Sequence, residues 1–265
     1  MKGRIRVGIG GWTYEPWRET FYPLGTPHAR ELEYASRRVT AIEINGTFYR
    51  LQKPSVYAKW HDETPDDFVF SLKAPRFIVQ RKELSTAGPG IDRFMASGIT
   101  ELKSKLGPIL WQLAPTKRFD PADLEGFLEL LPHTAGVLPL RHALEVRHES
   151  FMSPEFLALA RKHGAAVVYV DDPEHPAIGD LTANFVYARL RRCAASIATG
   201  YSRPALKSWA ARAQRWAQGS LPADLPRIEP KAKTAAGARD VFVYFINGAK
   251  ERAPAAAQAL LALLG

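Results

Sequence analysis

Apolar positions along the chain gather into eight short runs rich in Val, Ile, Phe and Tyr: Ile5–Gly10, Val39–Ile44, Phe68–Lys73, Ile109–Leu113, Ala143–Arg147, Ala166–Asp171, Phe185–Leu190 and Val241–Ile246. Runs of this length and makeup predict strands. Most of the stretches between them can hold a helix, most clearly Gly90–Lys105, Pro121–Leu131, Pro154–His163, Pro204–Gln218 and Pro254–Leu264. Several begin with proline in or near the first turn, where its missing N–H costs nothing. Asp120 and Ser153, each just before a proline, are expected N-caps. Alternating strands and helices predict a parallel sheet. Eight strands in 265 residues predict a closed (β/α)8, or TIM, barrel, a fold that needs about 250 residues. An open, doubly wound sheet is the alternative, but it wants a glycine-rich phosphate turn after its first strand. Gly8, Gly10 and Gly11 run on into Trp12, Thr13 and Tyr14 and do not complete one. Two connections are irregular. Residues 172–184 hold Pro173, Pro176 and Gly179 and leave no room for a full helix, and the Pro/Ala/Lys-rich stretch from Gln218 to Asp240 reads as a mobile loop. No repeat beyond the strand–helix period and no boundary is visible, so residues 1–265 read as one domain.

In a barrel, alternate side chains enter the lumen, and those at strand C-termini face the mouth, where barrel enzymes carry their chemistry. Alternation turns Glu43 inward, opposite Ile42 and Ile44. It turns Lys73 inward with Ser71, and Gln112 opposite Trp111 and Leu113. Glu145 and Arg147 share a face opposite Leu144 and Val146, and His148 follows. Asp171 ends the sixth run, Arg189 lies near the end of the seventh and Asn247 ends the eighth, so seven of the eight strands are expected to end in a polar or ionisable group placed inward. Buried ionisable groups are costly without partners, and packing alone would place Val, Ile or Leu there. The plainer alternative to a functional mouth is a layer of ion pairs that closes the barrel. Glu43, Glu145 and Asp171 are matched by Lys73, Arg147 and Arg189, which argues against a bare metal cage. No metal and no cofactor is therefore expected, and a metal site on Glu43, Glu145, His148 and Asp171 is the lesser alternative. Lys73, Arg147 and Arg189 are suited to a phosphate or carboxylate. Glu43, Glu145 and Lys73 are the candidate catalytic groups; a Schiff base on Lys73 is the lesser alternative, since a lysine between carboxylates is more often a charged binder. Trp12, Tyr14 and Tyr49 are candidates for stacking on a base or sugar, with Gln112, His148, Asp171 and Asn247 as polar contacts. Trp17, Phe21 and Phe48 read as a small core of their own loops.

Composition adds three constraints. A net charge of +9 is concentrated between Leu181 and Ala223, where Arg189, Arg191, Arg192, Arg203, Lys207, Arg212 and Arg215 meet no acid. Such a block suits a polyanion, or is simply a solvated face. Cys193 is the only cysteine, which excludes an intrachain disulfide. The N-terminal apolar stretch is too short and too broken by glycine for a signal peptide, and no segment reaches the roughly 20 apolar residues of a membrane span. The chain therefore reads as cytoplasmic, with no membrane and no protein partner indicated. No nucleophile elbow, Walker loop, zinc-type cysteine cluster or kinase signature is present.

The motifs VGIGGWTYEPWRETFYP (Val7–Pro23), AIEINGTFYR (Ala41–Arg50), PDDFVFSLKAP (Pro65–Pro75), LGPILWQLAP (Leu106–Pro115) and LEVRHES (Leu144–Ser150), with Val170–Pro173 and Val243–Asn247, resemble the YecE-like family, domain of unknown function 72. The resemblance covers nearly the whole chain. It implies a TIM barrel and no particular reaction. The family's pattern falls on Trp12, Tyr14, Trp17, Glu43, Phe48, Tyr49, Lys73, Gln112, Glu145, Arg147, His148, Asp171, Arg189 and Asn247. Three places depart from it. A usual Arg-Leu-His-Gly reads Arg189-Leu190-Arg191-Arg192, an Asn-Ala in the last helix reads Ala256-Ala257, and an Asn pair reads Ile246-Asn247. If the missing His is a proton donor or ligand in the family, the chemistry of this chain is altered or lost; the alternative is a divergent member that binds a more anionic ligand through Arg191 or Arg192.

Three readings follow. The chain binds, and as a hydrolase cleaves, a phosphate-bearing ligand such as a nucleotide or nucleic acid. It binds nucleic acid without catalysis. Or it is a small-molecule or sugar lyase, isomerase or hydrolase that uses the two glutamates.

Overall fold

The apolar runs become parallel strands: β1 Ile5–Gly10, β2 Ala41–Ile44, β3 Val69–Lys73, β4 Leu106–Gln112, β5 His142–Glu145, β7 Phe185–Leu190 and β8 Asp240–Phe245, with β6 in two pieces, Ala166–Val167 and Tyr169–Asp171. They are taken from a computed structural model that describes residues 3–232 and 237–265. The neighbours run β5, β4, β3, β2, β1, β8, β7, and both ends of that row meet β6. Its first piece pairs Ala166 and Val167 with Ala143 and Leu144 of β5. Its second pairs Tyr169, Val170 and Asp171 with Ala188, Arg189 and Leu190 of β7. Between them Val168 N donates to Leu144 O at 3.0 Å. The sheet thus closes on itself, the TIM-barrel solution, and the open doubly wound sheet is excluded.

Period-two alternation divides the apolar side chains into two clusters. One lies inside the strands: Ala41, Val69, Leu110, Ala143, Ala166, Val168, Val170, Phe185, Tyr187, Phe242, Tyr244 and Ile246. The other lies between strands and helices and includes Ile42, Phe70, Trp111, Leu144 and Leu190. The wall is tight at β1. A Cβ on Gly8 would stand 2.1 Å from Ala41 O and 3.0 Å from the Tyr244 ring. Gly8 is therefore required by the barrel wall.

The helices Pro121–Glu129, Pro154–Lys162, Arg203–Ala217 and Ala253–Leu264 form where the pattern puts them. Asp120 accepts from Asp123 N and Ser153 from Phe156 N, as expected of N-caps. The expected helix Gly90–Lys105 is instead an α-helix, Gly88–Met95, followed by a 3-10 helix, Ile99–Lys105. Gly98 separates them with φ of 98°, lying so close to Pro54 that a Cβ would meet it at 2.7 Å. Residues 172–184 carry no helix. Of the expected loop from Gln218 to Asp240, residues 233–236 lie outside the described part, and the rest is turn and coil up to the start of β8. Trp17 is fully buried and Phe21 nearly so. Trp17 Nε1 donates to Lys250 O at 2.9 Å, which ties the loop after β1 to the one after β8. Among the described residues, no helix is long and apolar enough to cross a membrane.

Gly8→Ala is expected to cost about 3 kcal/mol or more in urea unfolding, because a backbone carbonyl cannot yield to the added methyl. Gly46→Ala, where nothing lies within 4 Å, is expected to stay within about 0.5 kcal/mol. Equal effects would mean that β1 is not packed as described.

Candidate functional site

At the C-terminal ends of the strands, β2, β5 and β7 turn Glu43, Glu145 and Arg189 into the lumen. Their exposures are 0%, 0% and 2%. The Arg189 guanidinium spans the two acids. Its Nε and Nη2 donate to Glu43 Oε2 and Oε1, both at 3.0 Å, and its Nη1 donates to Glu145 Oε2 at 2.5 Å. Tyr187 OH, two residues back on the same face of β7, donates to Glu43 Oε2 at 2.8 Å. Gln112 Nε2 and Arg147 Nε donate to Glu145 Oε1 at 2.9 and 2.8 Å. Every oxygen of both carboxylates thus has a donor, the condition for keeping buried charge. Burial pushes the Glu145 carboxyl up, but Arg189 and Arg147 beside it, helped by the bond from Gln112, outweigh burial and hold it at about 2. Burial, and then the neighbouring Glu43, keep the Tyr187 hydroxyl protonated well above its ordinary range.

Two expectations change. Arg189 was expected to hold a ligand, but each of its guanidinium nitrogens is committed to a carboxylate. It also fills the gap between Glu43 and Glu145 that a glycosidic bond and its water would need, so the geometry does not favour a sugar hydrolase built on that pair.

Lys73, at the end of β3, is half-buried above this floor. Its Nζ lies 4.1 Å from the centre of the Phe48 ring. Among the described residues no hydrogen bond or ion pair reaches it. Burial lowers the ammonium's pKa and Arg189 adds to that, while Glu43 and Glu145 offset part, leaving it at about 8. Arg147 and Arg191 stand at the edge of the same mouth, with side-chain exposures of 16% and 14%. Arg191 Nη1 donates to Asp172, which also accepts from His175 Nδ1 at 2.9 Å. Arg191 Nε is buried with no hydrogen-bond partner among the described residues.

The other predicted residues go elsewhere. Val170 takes the lumen position on β6, so Asp171 points outward, pairs with Arg192 at 3.1 Å and accepts from Tyr201 OH at 3.1 Å. His148 Nδ1 accepts from Ser150 N at 3.1 Å and caps the turn Glu149–Phe151. Asn247 is exposed with φ of 64°, past Ile246, which takes the lumen place. Trp12 packs edge-on against Trp60 at 5.2 Å and Phe70 at 6.4 Å, outside the strands. Tyr14 lies against Trp17, with Lys250 Nζ 4.4 Å from its ring centre, and Tyr49 is 68% exposed. A metal site on Glu43, Glu145, His148 and Asp171 therefore does not assemble. Among the described residues, two clusters have ligand spacing: Glu125, Glu129 and His163, and Asp172, Glu174 and His175. Lys162 already bonds the first and Arg191 the second. Cys193 is buried, and burial pushes its thiol up to about 12, far from a thiolate nucleophile.

Sequence reading missed Tyr187, the Ser71–Tyr244 hydroxyl pair at 2.7 Å, and the Asp172–His175 pair. Position alone, two residues before Arg189, would have found Tyr187. A cleft of about 1290 Å³ opens at the opposite end of the barrel, lined by Arg141, Arg161 and Lys162 among others. Those three cations are paired with Asp240, Glu229 and Glu125, away from the strand-end groups.

Arg189→Met leaves two buried carboxylates without their main partner and is expected to cost roughly 3–5 kcal/mol in urea unfolding at neutral pH. Native Glu145 titrates at about 2, below its ordinary 4.5. The wild type therefore loses stability as pH falls from about 4.5 towards 2. The stranded acids of the variant take up protons more readily, so the gap between the two proteins should narrow in acid. A gap that widens would contradict the triad.

Comparison with known proteins places the chain in a family. It is 29% identical over 149 residues to the UPF0759 protein YecE of Escherichia coli (strain K12), covering 56% of this chain and 50% of that protein. It is 29% identical over 180 residues to the UPF0759 protein YunF of Bacillus subtilis (strain 168), covering 64% and 61%. The match thus spans only about half to three-fifths of these curated relatives. The fold is similar to the crystal structure of a DUF72 family protein from Thermotoga maritima, with a TM-score of 0.73, 21% identity, and 98% and 99% of the two chains covered. Residues 6–265 match the family described as "Protein of unknown function DUF72", and the chain belongs to that family.

Proposed function

We propose that the mouth of the barrel binds a small anionic ligand, bearing phosphate or carboxylate, through Lys73, Arg147 and Arg191. One observation carries this reading. Arg189 and Arg147 together balance the two buried carboxylates and Asp172 balances Arg191, which leaves Lys73, among the described residues, as the one cation of the mouth with no paired acid. Asp172 matches Arg191, Glu145 accepts from Arg147 while already held by Arg189, and Lys73 has no acid of its own. Partly desolvated cations attract an anion strongly, and the buried Arg191 Nε is a donor in want of an acceptor.

If a reaction follows, its proton carrier is Lys73. Glu145, held at about 2, stays ionised at neutral pH and is a poor general acid, whereas Lys73 at about 8 changes protonation in the working range. Hydrolysis of a phosphate ester remains one reaction this set would serve. Nucleic acid is a weaker candidate ligand. Arg189, Arg191, Arg192 and Arg212 of the basic block are taken by Glu43, Asp172, Asp171 and Asp224. That leaves Arg203, Lys207 and Arg215 exposed on one helix.

Calorimetric titration with inorganic phosphate tests the reading. Arg147→Gln and Arg191→Gln are each expected to weaken binding about tenfold, the loss of about 1.4 kcal/mol from a charge-assisted bond. The triple change Arg203→Gln, Lys207→Gln and Arg215→Gln is expected to leave it unchanged. If the triple variant alone lost binding, or single-stranded DNA bound with a steep salt dependence that the triple change flattened, the polyanion face would displace the mouth.

A further inference from the structure

We infer that Lys73 is a nucleophilic amine, and that the ligand held at the mouth is an anionic carbonyl compound, an oxo acid or a phosphorylated aldehyde or ketone, which Lys73 binds as an imine. The inference rests on the reading of the mouth as an anion site and adds to it the class of compound and the covalent step.

The geometry sets Lys73 apart from the other cations of the mouth. Arg147, Arg189 and Arg191 each donate to a carboxylate. The two acids whose charge is felt by Lys73 are hydrogen-bonded to other donors, Glu43 to Arg189 and Tyr187, and Glu145 to Arg189, Arg147 and Gln112. The amine lies over the Phe48 ring. Thr47 Oγ1 donates to Lys73 O at 2.7 Å and anchors the main chain from which the amine extends. A lysine whose task were only to supply charge would gain from a nearby carboxylate, and arginine would serve the anion better. Burying an amine beside guanidinium groups with no acid to hold its proton favours the neutral form, and only the neutral form attacks a carbonyl. The pKa of about 8 agrees with this arrangement.

In the step, the nitrogen lone pair of Lys73 adds to the carbonyl carbon, and the C=O π pair moves to oxygen. A proton passes from nitrogen to that oxygen. The oxygen then takes from solvent a second proton, equal to the one the ammonium released before attack, and leaves as water while nitrogen forms the C=N bond. Amine and carbonyl become imine and water, with no change of oxidation state. The protonated imine keeps the positive charge of the ammonium, and the carboxylate or phosphate of the ligand meets Arg147 and Arg191.

The test is trapping of the full-length protein with pyruvate, and separately with glyceraldehyde 3-phosphate, in the presence of sodium borohydride. Hydride adds to the imine carbon and leaves a stable secondary amine. Intact mass is expected to show a single reduced adduct, and peptide mapping to place it on Lys73. Lys73→Arg keeps a cation but has no such amine, and is expected to lose at least nine-tenths of the label while retaining the wild-type circular dichroism spectrum. The initial labelling rate should rise with pH through an inflection near 8, well below the ordinary lysine value of about 10.4. Label spread over surface lysines, or equal in wild type and Lys73→Arg, overturns the inference. So does absence of label from a wild type that binds phosphate, which leaves the anion site standing. A wild type that neither binds phosphate nor labels removes the anion reading itself.

Discussion

Two carboxylates that see no solvent at all stand in the lumen of this barrel, and they are compatible with a folded chain only because one guanidinium lies between them. Arg189 donates from Nε, Nη1 and Nη2, and Glu43 and Glu145 accept on facing oxygens. Removing any member would strand charge where water cannot reach it, a penalty of several kcal/mol per ion. The bond joins three strands, β2, β5 and β7, across the lumen. It does for the top of the barrel what Val69, Phe185 and Phe242 do lower down. It is also directional where apolar packing is not, and fixes which ends of which strands meet. Tyr187, Gln112 and Arg147 complete the hydrogen bonding, so no oxygen of the pair is left over.

The electrostatics of the mouth follow from this floor. Because Glu43 and Glu145 are held by Arg189 and Arg147, neither forms an ion pair with Lys73, and these groups, with Arg191 and Asp172, carry one positive charge beyond their acids. The residues that depart from the family's pattern fit the same account. Where the family resemblance leads to His and Gly after Leu190, the chain has Arg191 and Arg192. Two consecutive acids receive them, Arg191 going to Asp172 at the mouth and Arg192 to Asp171 outside it. Arg191 thus stands at the mouth as a cation that Asp172 holds in place.

The basic block between Leu181 and Ala223 illustrates how linear charge misleads. It contains no acid in sequence, yet four of its seven cations are paired in space, with Glu43, Asp171, Asp172 and Asp224. The partners lie outside the block along the chain. One of them, Glu43, is brought in by barrel closure, since β2 and β7 stand on different sides of the ring.

The sequence by itself determined the barrel and most of its floor. Strand and helix periods are local properties, set by backbone geometry and by which side of each element is apolar. They placed the strands, four of the helices, and the inward turn of Glu43, Lys73, Gln112, Glu145 and Arg189. Alternation also carried its own limit. It depends on knowing where a strand's phase ends, so Asp171 and Asn247 were assigned to the lumen when Val170 and Ile246 already occupy it. Aromatics near a strand end could not be divided between ligand and packing without their neighbours, and Trp12 is held by Trp60 and Phe70. The tertiary structure alone decided who pairs with whom. Ion pairing depends on distances through space between residues as far apart as Glu43 and Arg189. Only closure of the ring sets those distances, and with them the commitment of Arg189 to the acids and the freedom of Lys73.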